Sequence, residues 1–210
     1  MPSYSRANPS PRYRELTGLY RRMHLEGDAR LGLAAAKTFP GVSLFPHLAR
    51  IKRLIDLTGA KTILDYGAGK GLQYRPSRIV IDGRQVADGV AEYWGVDEVR
   101  CYDPGFAPHS TLPQETFDGV VSTDVLEHCP EEDLGWILDE IFGYAERFVF
   151  LNVACFPARK TLPNGENAHV TQRSPEWWRA LVAAHATTEW ELHAAHKDGQ
   201  DKVTETVFSG

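Results

Sequence analysis

The chain has 210 residues, of which 42% are hydrophobic and 24% charged, and its formal net charge at pH 7 is −5. This is the composition of an ordinary globular protein, and it excludes the disordered and fibrous classes. The apolar runs are too short to span a membrane, and the polar N-terminus has no apolar stretch of the kind that directs secretion. We therefore expect a cytoplasmic protein with no membrane association.

Charge is distributed unevenly along the chain. Residues 115–146 contain ten acids and no Lys or Arg, whereas the first thirty residues contain six Arg. A nucleic-acid partner would require a continuous basic face, and the chain shows none, so nucleic acid is an improbable partner. Three cysteines lie far apart without the spacing of a disulfide framework, which is typical of buried thiols in a reduced protein.

The N-terminal quarter is predicted to be helical. Residues 1–11 contain three Pro and are expected to form a frayed arm, and apolar residues at helical spacing follow over 13–25 and 47–59. Gly59 is placed where a glycine would end the second helix. We assign residues 1–58 to an arm and helical cap, and residues 59–210 to one compact domain.

Strand-like and helical segments alternate in the remainder of the chain. Helices are predicted behind Pro130 and behind Ser174, and residues 189–210 form two strand-like runs around a turn at 198–201, which predicts a hairpin. The other strand-like segments are KTILDYG (61–67), EVRCYDPG (98–105), FDGVVSTDVLEH (117–128) and RFVFLNVA (147–154). This alternation predicts a three-layer α/β/α, doubly wound fold whose mostly parallel sheet ends on an antiparallel strand.

Polar residues stand at the ends of three predicted strands. These are Asp65 with its glycine loop, Asp103, and residues 122–124. Ligands of open α/β sheets bind outside these carboxyl ends. The loop lacks the dinucleotide fingerprint, because Leu72 stands where that motif needs glycine. A carboxylate at Asp65 would suit a ligand with an ammonium group, and Asp103 could accept both hydroxyls of a ribose. Together these groups describe S-adenosylmethionine (SAM).

Three of these stretches resemble a known family. ILDYGAGKG (63–71) resembles motif I of the class I SAM-dependent methyltransferases, RCYDPG the acidic end of their second strand, and FDGVVSTDVLEH their fourth strand and following turn. The resemblance covers residues 62–210 and implies a Rossmann-like, seven-stranded sheet with an antiparallel last strand. It implies that the cofactor is bound by Asp65, Gly67, Ala68, Gly69, Gly71, Asp103, Asp124 and Val125.

The chain departs from that family in one segment. Residues 72–102, which separate Gly71 from Asp103, number 31, about twice the usual length. They include the strand-like RIVID, so Asp82 is an alternative to Asp103 as the acid that binds the ribose.

Two histidines are candidates for catalytic residues. Methyl transfer depends largely on positioning, and a base is required only if the acceptor starts protonated. His128 and His169 are the candidates for a base or for positioning the acceptor, while Tyr20 and His24 could close a lid. No His, Asp or Glu cluster has a metal-binding spacing, so no metal is predicted.

These observations predict a SAM-dependent methyltransferase that transfers a methyl group to an oxygen or nitrogen of a small molecule and releases S-adenosylhomocysteine (SAH). We expect a monomer or homodimer. The alternative is a non-catalytic binding or scaffold module of the same fold. A nicotinamide oxidoreductase is disfavoured by Leu72 and by the acid that precedes the loop.

Overall fold

The computed structural model of the protein describes residues 4–29 and 31–210. Five α-helices occur in these ranges: α1 (Pro11–Glu26), α2 (Leu48–Thr58), α3 (Val90–Trp94), α4 (Leu134–Tyr144) and α5 (Pro175–His185). The strands are β1 (Thr62–Tyr66), β2 (Ile79–Ile81), β3 (Arg84–Ala87), β4 (Glu98–Tyr102), β5 (Phe117–Thr123), β6 (Ala145–Ala154), β7 (Glu189–Lys197) and β8 (Val203–Ser209). Among these helices, none is both long and apolar enough to span a membrane.

The main sheet has the strand order β4-β1-β5-β6-β7-β8. The first five strands in this order pair in parallel, and β8 pairs antiparallel with β7 at the edge. The α/β class, the mostly parallel sheet and the antiparallel last strand are therefore confirmed. Because β4 and β5 lie on opposite sides of β1, the strand order reverses at β1, and such a reversal opens a crevice at the carboxyl ends of the strands.

The main sheet has six strands in the described ranges, where seven were predicted. The long segment before β4 does not join it, because β2 and β3 pair with each other in a separate hairpin. Both residues of the connecting turn, Asp82 and Gly83, have positive φ, as a tight two-residue hairpin turn requires.

Apolar side chains cover both faces of the sheet. Alternate residues of a strand point to opposite faces. Ile63, Val121 and Phe148 pack in one cluster with α2 and α3, whereas Leu64 and Val120 pack in a second cluster with α4 and α5. The sheet is therefore the middle layer of the molecule, and its polar strand ends remain outside both clusters.

The N-terminal segment packs against the domain from residue 4 onwards. Arg6 pairs with Glu140 of α4 and donates a hydrogen bond to the Tyr66 hydroxyl at 2.9 Å. Ser10 is buried, caps α1 through its hydroxyl and donates its N–H to Asp133 at 3.0 Å. The prediction of a frayed arm was therefore wrong for residues 4–11, because these polar contacts and the cap fix the segment; residues 1–3 lie outside the described ranges. The consequence is that α1 is held across the strand ends.

Candidate functional site

A cavity of about 640 Å³ lies between α1 and the carboxyl ends of β1, β4 and β5. Tyr66, Asp103 and Thr123 line it where the three strands end, and Leu16, Tyr20 and Met23 of α1 line it from above. Its volume falls in the range of small-molecule sites, about 300–1,000 Å³. The fold therefore places a crevice at the reversal of strand order, and α1 forms its roof.

Eight of the ten predicted site residues line this cavity. Asp65 and Gly71 are the two that do not, and Asp82 lies away from it in the hairpin turn. Tyr20 and His24, the predicted lid residues, also line it. The eight lining residues are Gly67, Ala68, Gly69, Asp103, Asp124, Val125, His128 and His169.

The three loop glycines all have positive φ, between +59° and +89°. A Cβ at Gly67 would lie 2.4 Å from the Val125 side chain, and one at Gly69 would lie 2.6 Å from the Phe39 carbonyl oxygen. A Cβ at Gly71 would lie 2.8 Å from His109. Backbone conformation and close neighbours within the protein therefore require these glycines, independently of any ligand.

Asp65 lies behind the glycine loop rather than in the cavity. It is 2% exposed, and one carboxylate oxygen accepts hydrogen bonds from Gln73 Nε2 at 2.9 Å and from the Tyr74 hydroxyl at 2.8 Å. Burial raises its pKa from 3.8 to about 6, although the two hydrogen bonds favour the ionised form. Its direct contacts hold the segment that follows the loop.

The raised pKa of Asp65 predicts a pH-dependent contribution to stability. Between pH 4 and 6 the folded chain retains a proton that the unfolded chain has released, so the free energy of unfolding falls as the pH rises through this window. Over this window the free energy of unfolding should change by up to about 3 kcal/mol. Asp65→Asn should remove this pH dependence, while its amide oxygen can still accept the hydrogen bonds from Gln73 and Tyr74. Urea unfolding of both proteins at pH 4 to 7 measures it, with Asp82→Asn as an exposed control. A stability difference between wild type and Asp65→Asn that is constant across these pH values would contradict the expectation.

Asp103 borders the cavity, and the backbone holds its carboxylate. One oxygen accepts the Gly69 N–H at 2.9 Å and the other accepts the Gly105 N–H at 2.8 Å. Burial raises the pKa of Asp103, and the two backbone donors oppose this rise. Because a carboxylate oxygen has two lone pairs, each oxygen can accept one further hydrogen bond from a ligand. The carboxylate is thus oriented before any ligand arrives.

Aromatic rings line the cavity beside Asp103. The His24 ring stacks on Phe106, with 5.0 Å between the ring centroids, and lies 4.7 Å from Phe39. Its Nδ1 accepts a hydrogen bond from Lys70 Nζ at 2.8 Å. Burial, with the charge of Lys70 as a smaller cause, lowers the pKa of His24 to about 4, so this ring is neutral at pH 7. Sequence analysis did not find Phe39, because a single aromatic residue in a loop has no periodic signal.

Two histidines and an aspartate meet on the opposite side of the cavity. The rings of His128 and His169 are perpendicular with centroids 4.8 Å apart, and His169 Nε2 lies 3.9 Å from Asp124 Oδ1. His128 Nδ1 lies 2.8 Å from the Ala168 carbonyl oxygen, and His169 Nδ1 lies 2.6 Å from that of Phe156. A carbonyl oxygen can only accept, so in the neutral form of each ring the proton is on Nδ1 and the lone pair on Nε2. The Tyr20 hydroxyl also lies 2.7 Å from His128 Nδ1 and 3.1 Å from the Ala168 carbonyl oxygen.

The side chains on the histidine side of the cavity differ in their exposure to solvent. Burial lowers the pKa of His128, which is therefore neutral at pH 7. Asp124 is half exposed, and its positive φ of 61° turns the chain sharply at the end of β5. Positive φ is uncommon for residues other than glycine and is best tolerated by Asn and Asp. The local backbone thus presents this carboxylate to the cavity.

Glu127 is a buried acid that sequence analysis missed. It is fully buried, and its Oε1 accepts the Ala154 N–H at 2.6 Å, while its Oε2 has no hydrogen-bond partner in the described part of the chain. Burial, followed by the charge of Asp124, raises its pKa well above the ordinary value. An unsatisfied buried carboxyl oxygen beside a cavity is rare and marks a place of interest.

Two basic residues border the cavity on the loop that follows β6. They are Arg159 and Lys160, and the Lys160 ammonium lies 5.2 Å from the Phe39 ring centroid.

No family model matches the chain, and no curated protein sequence matches it. The function of the protein is therefore inferred from the residues that line this cavity.

Proposed function

We propose that this protein is a SAM-dependent methyltransferase that acts on a small molecule. The observation that supports this best is the convergence of the glycine loop, Asp103 and Asp124 on one cavity where the strand order reverses. Crevices at this point of α/β sheets are the usual location of nucleotide ligands. The proposal includes a doubly wound, Rossmann-like fold of which six strands form the main sheet.

Each part of the cofactor has a complementary surface in the cavity. Asp103 would accept the ribose hydroxyls, and the partly exposed Phe39 ring offers apolar surface to the adenine. The methionine part would lie along Gly67 and Gly69, near the half-exposed Asp124. Asp65 would contribute indirectly, because its hydrogen bonds to Gln73 and Tyr74 fix the chain behind the loop.

The acceptor would lie between the sulfonium and the two histidines. The roof formed by α1 covers part of the cavity, whose volume of about 640 Å³ suits a small-molecule acceptor. Positioning of the acceptor oxygen or nitrogen against the methyl carbon would supply most of the acceleration. The Nε2 lone pair of His128 or His169 would be available to take a proton from the acceptor.

Isothermal titration calorimetry with SAM and SAH tests the cofactor proposal. We expect one molecule of either ligand to bind per chain with a dissociation constant in the micromolar range. Absence of binding to the folded protein would contradict the proposal. A transfer assay with methyl-labelled SAM and a panel of hydroxyl and amine acceptors then separates an enzyme from the alternative, a binding module, which would bind SAM but label no acceptor.

A further inference from the structure

We propose that Asp124, His128 and His169 form a binding site for a divalent transition-metal ion. Each residue offers one ligand atom, and the three atoms lie within 4.8 Å of one another. All three residues line the cavity. Two imidazoles and one carboxylate are a common ligand set for catalytic metal ions, which keep further positions open for water or substrate.

The histidines are already oriented as metal ligands are. Metal-bound histidines usually donate the N–H of the other ring nitrogen to a carbonyl or carboxylate, which fixes the tautomer. Here the Nδ1–H groups of His128 and His169 point at the carbonyl oxygens of Ala168 and Phe156, at 2.8 and 2.6 Å. Each Nε2 therefore keeps a free lone pair, and within the described ranges no hydrogen bond to either Nε2 is found.

The three ligand atoms, which lie within 4.8 Å of one another, would have to move closer together to bind a metal ion. In a tetrahedral site with bonds of about 2.1 Å, ligand atoms are about 3.4 Å apart. His169 Nε2 and Asp124 Oδ1 are separated by 3.9 Å. Asp124 is half exposed, so its side chain can move by the remaining distance while the buried His169 stays in place.

A second cluster of the same composition is a weaker candidate. His47, His193 and Glu205 also place ligand atoms within 4.8 Å. However, the Arg50 guanidinium already occupies that position, 3.1 Å from His47 Nδ1 and 2.8 Å from Glu205 Oε2. A metal ion would have to displace this bound cation, so the cavity cluster is the better site.

The ligand set favours particular metals and one class of acceptor. Imidazole suits Zn²⁺, Fe²⁺, Ni²⁺ or Cu²⁺, whereas Mg²⁺, Ca²⁺ and Mn²⁺ prefer oxygen ligands. The open positions of the metal would face the cavity. If the proposed function is correct, on which this last step rests, they would bind an oxygen of a hydroxyl-bearing acceptor and favour its ionised form. With the metal ion bound, neither histidine would act as the base.

Cobalt binding tests the site without reference to catalysis. Protein freed of metal with a chelator should bind one equivalent of Co²⁺ and develop visible absorption, and Zn²⁺ should displace it. Asp124→Asn and His169→Ala should each weaken Co²⁺ binding roughly tenfold or more. Glu205→Gln, the matched control in the second cluster, should bind as wild type does.

Several outcomes would overturn the proposal. They are absence of Co²⁺ binding by wild type, unchanged binding in both ligand variants, or an equal loss in Glu205→Gln. Circular dichroism checks that each variant folds. Should His169→Ala unfold, Asp124→Asn decides alone, since Asn tolerates the positive φ at this position. SAH calorimetry on the metal-free protein separates this test from that of the proposed function, because either ligand can bind without the other.

Discussion

Asp103→Asn should weaken SAH binding roughly 10- to 100-fold, which corresponds to about 1.5–3 kcal/mol for the loss of a charge-assisted hydrogen bond. The carboxylate faces the cavity, and both of its oxygens are oriented by the N–H groups of Gly69 and Gly105. An asparagine presents only one oxygen, so its amide nitrogen would oppose one of these donors. Calorimetry with SAH measures the loss, and thermal unfolding measures the accompanying change in stability.

The control for this prediction is Asp82→Asn, since Asp82 was the alternative acid for the ribose. This residue lies in the hairpin turn, away from the cavity, so its replacement should leave SAH binding unchanged. A 2′,3′-dideoxy analogue of SAH separates ribose contacts from loop distortion. The analogue should bind wild type more weakly than SAH does, and Asp103→Asn should not weaken it further. Equal binding of SAH by wild type and Asp103→Asn would instead remove Asp103 from the ribose site.

Gly67→Ala should destabilise the protein by about 2–5 kcal/mol. The left-handed backbone costs a residue with a Cβ about 1–2 kcal/mol, and overpacking costs about 1–3 kcal/mol more. The overpacking arises because the added Cβ would lie 2.4 Å from Val125, whose branched side chain has few alternative rotamers. Urea unfolding measures the change as a shift in midpoint at constant slope.

Gly83→Ala is the matched control for the backbone strain alone. Gly83 has a φ of +75°, and a Cβ there would meet nothing within 4 Å, so the substitution should cost only about 1–2 kcal/mol. Adding Val125→Ala to Gly67→Ala should remove the steric part of the cost at Gly67. If Gly67→Ala and Gly83→Ala were equally destabilising, packing against Val125 would not explain why this loop begins with glycine.

Local signals in the sequence predicted most of the elements. Gly59 ends α2 in the left-handed conformation, and Ser174 caps α5 with Pro175 in its first turn, as their positions indicated. The closing hairpin also forms where the turn residues placed it. These features depend on a few neighbouring residues, so they can be predicted without knowledge of what packs around them.

One local turn and several long-range contacts explain what sequence analysis missed. The strand-like RIVID segment pairs with the next strand instead of joining the main sheet, because the Asp82–Gly83 turn folds it back locally. The arm from residue 4 is ordered by Arg6 and Ser10, whose partners Glu140 and Asp133 lie more than 100 residues away. Such partners leave no periodic signal in the sequence.

From the sequence alone, Asp65, Asp103 and Asp124 could be placed at the carboxyl ends of strands in a mostly parallel α/β sheet. Which of the three faces the cavity depends on the tertiary structure. Asp65 points behind the loop to Gln73 and Tyr74. Asp103 and Asp124 border the cavity. The tertiary structure also brought His169 to His128, 41 positions earlier in the chain, since the loop after β6 folds back over the end of β5. Side-chain direction and long-range proximity arise from packing, and packing is a property of the whole chain rather than of any motif.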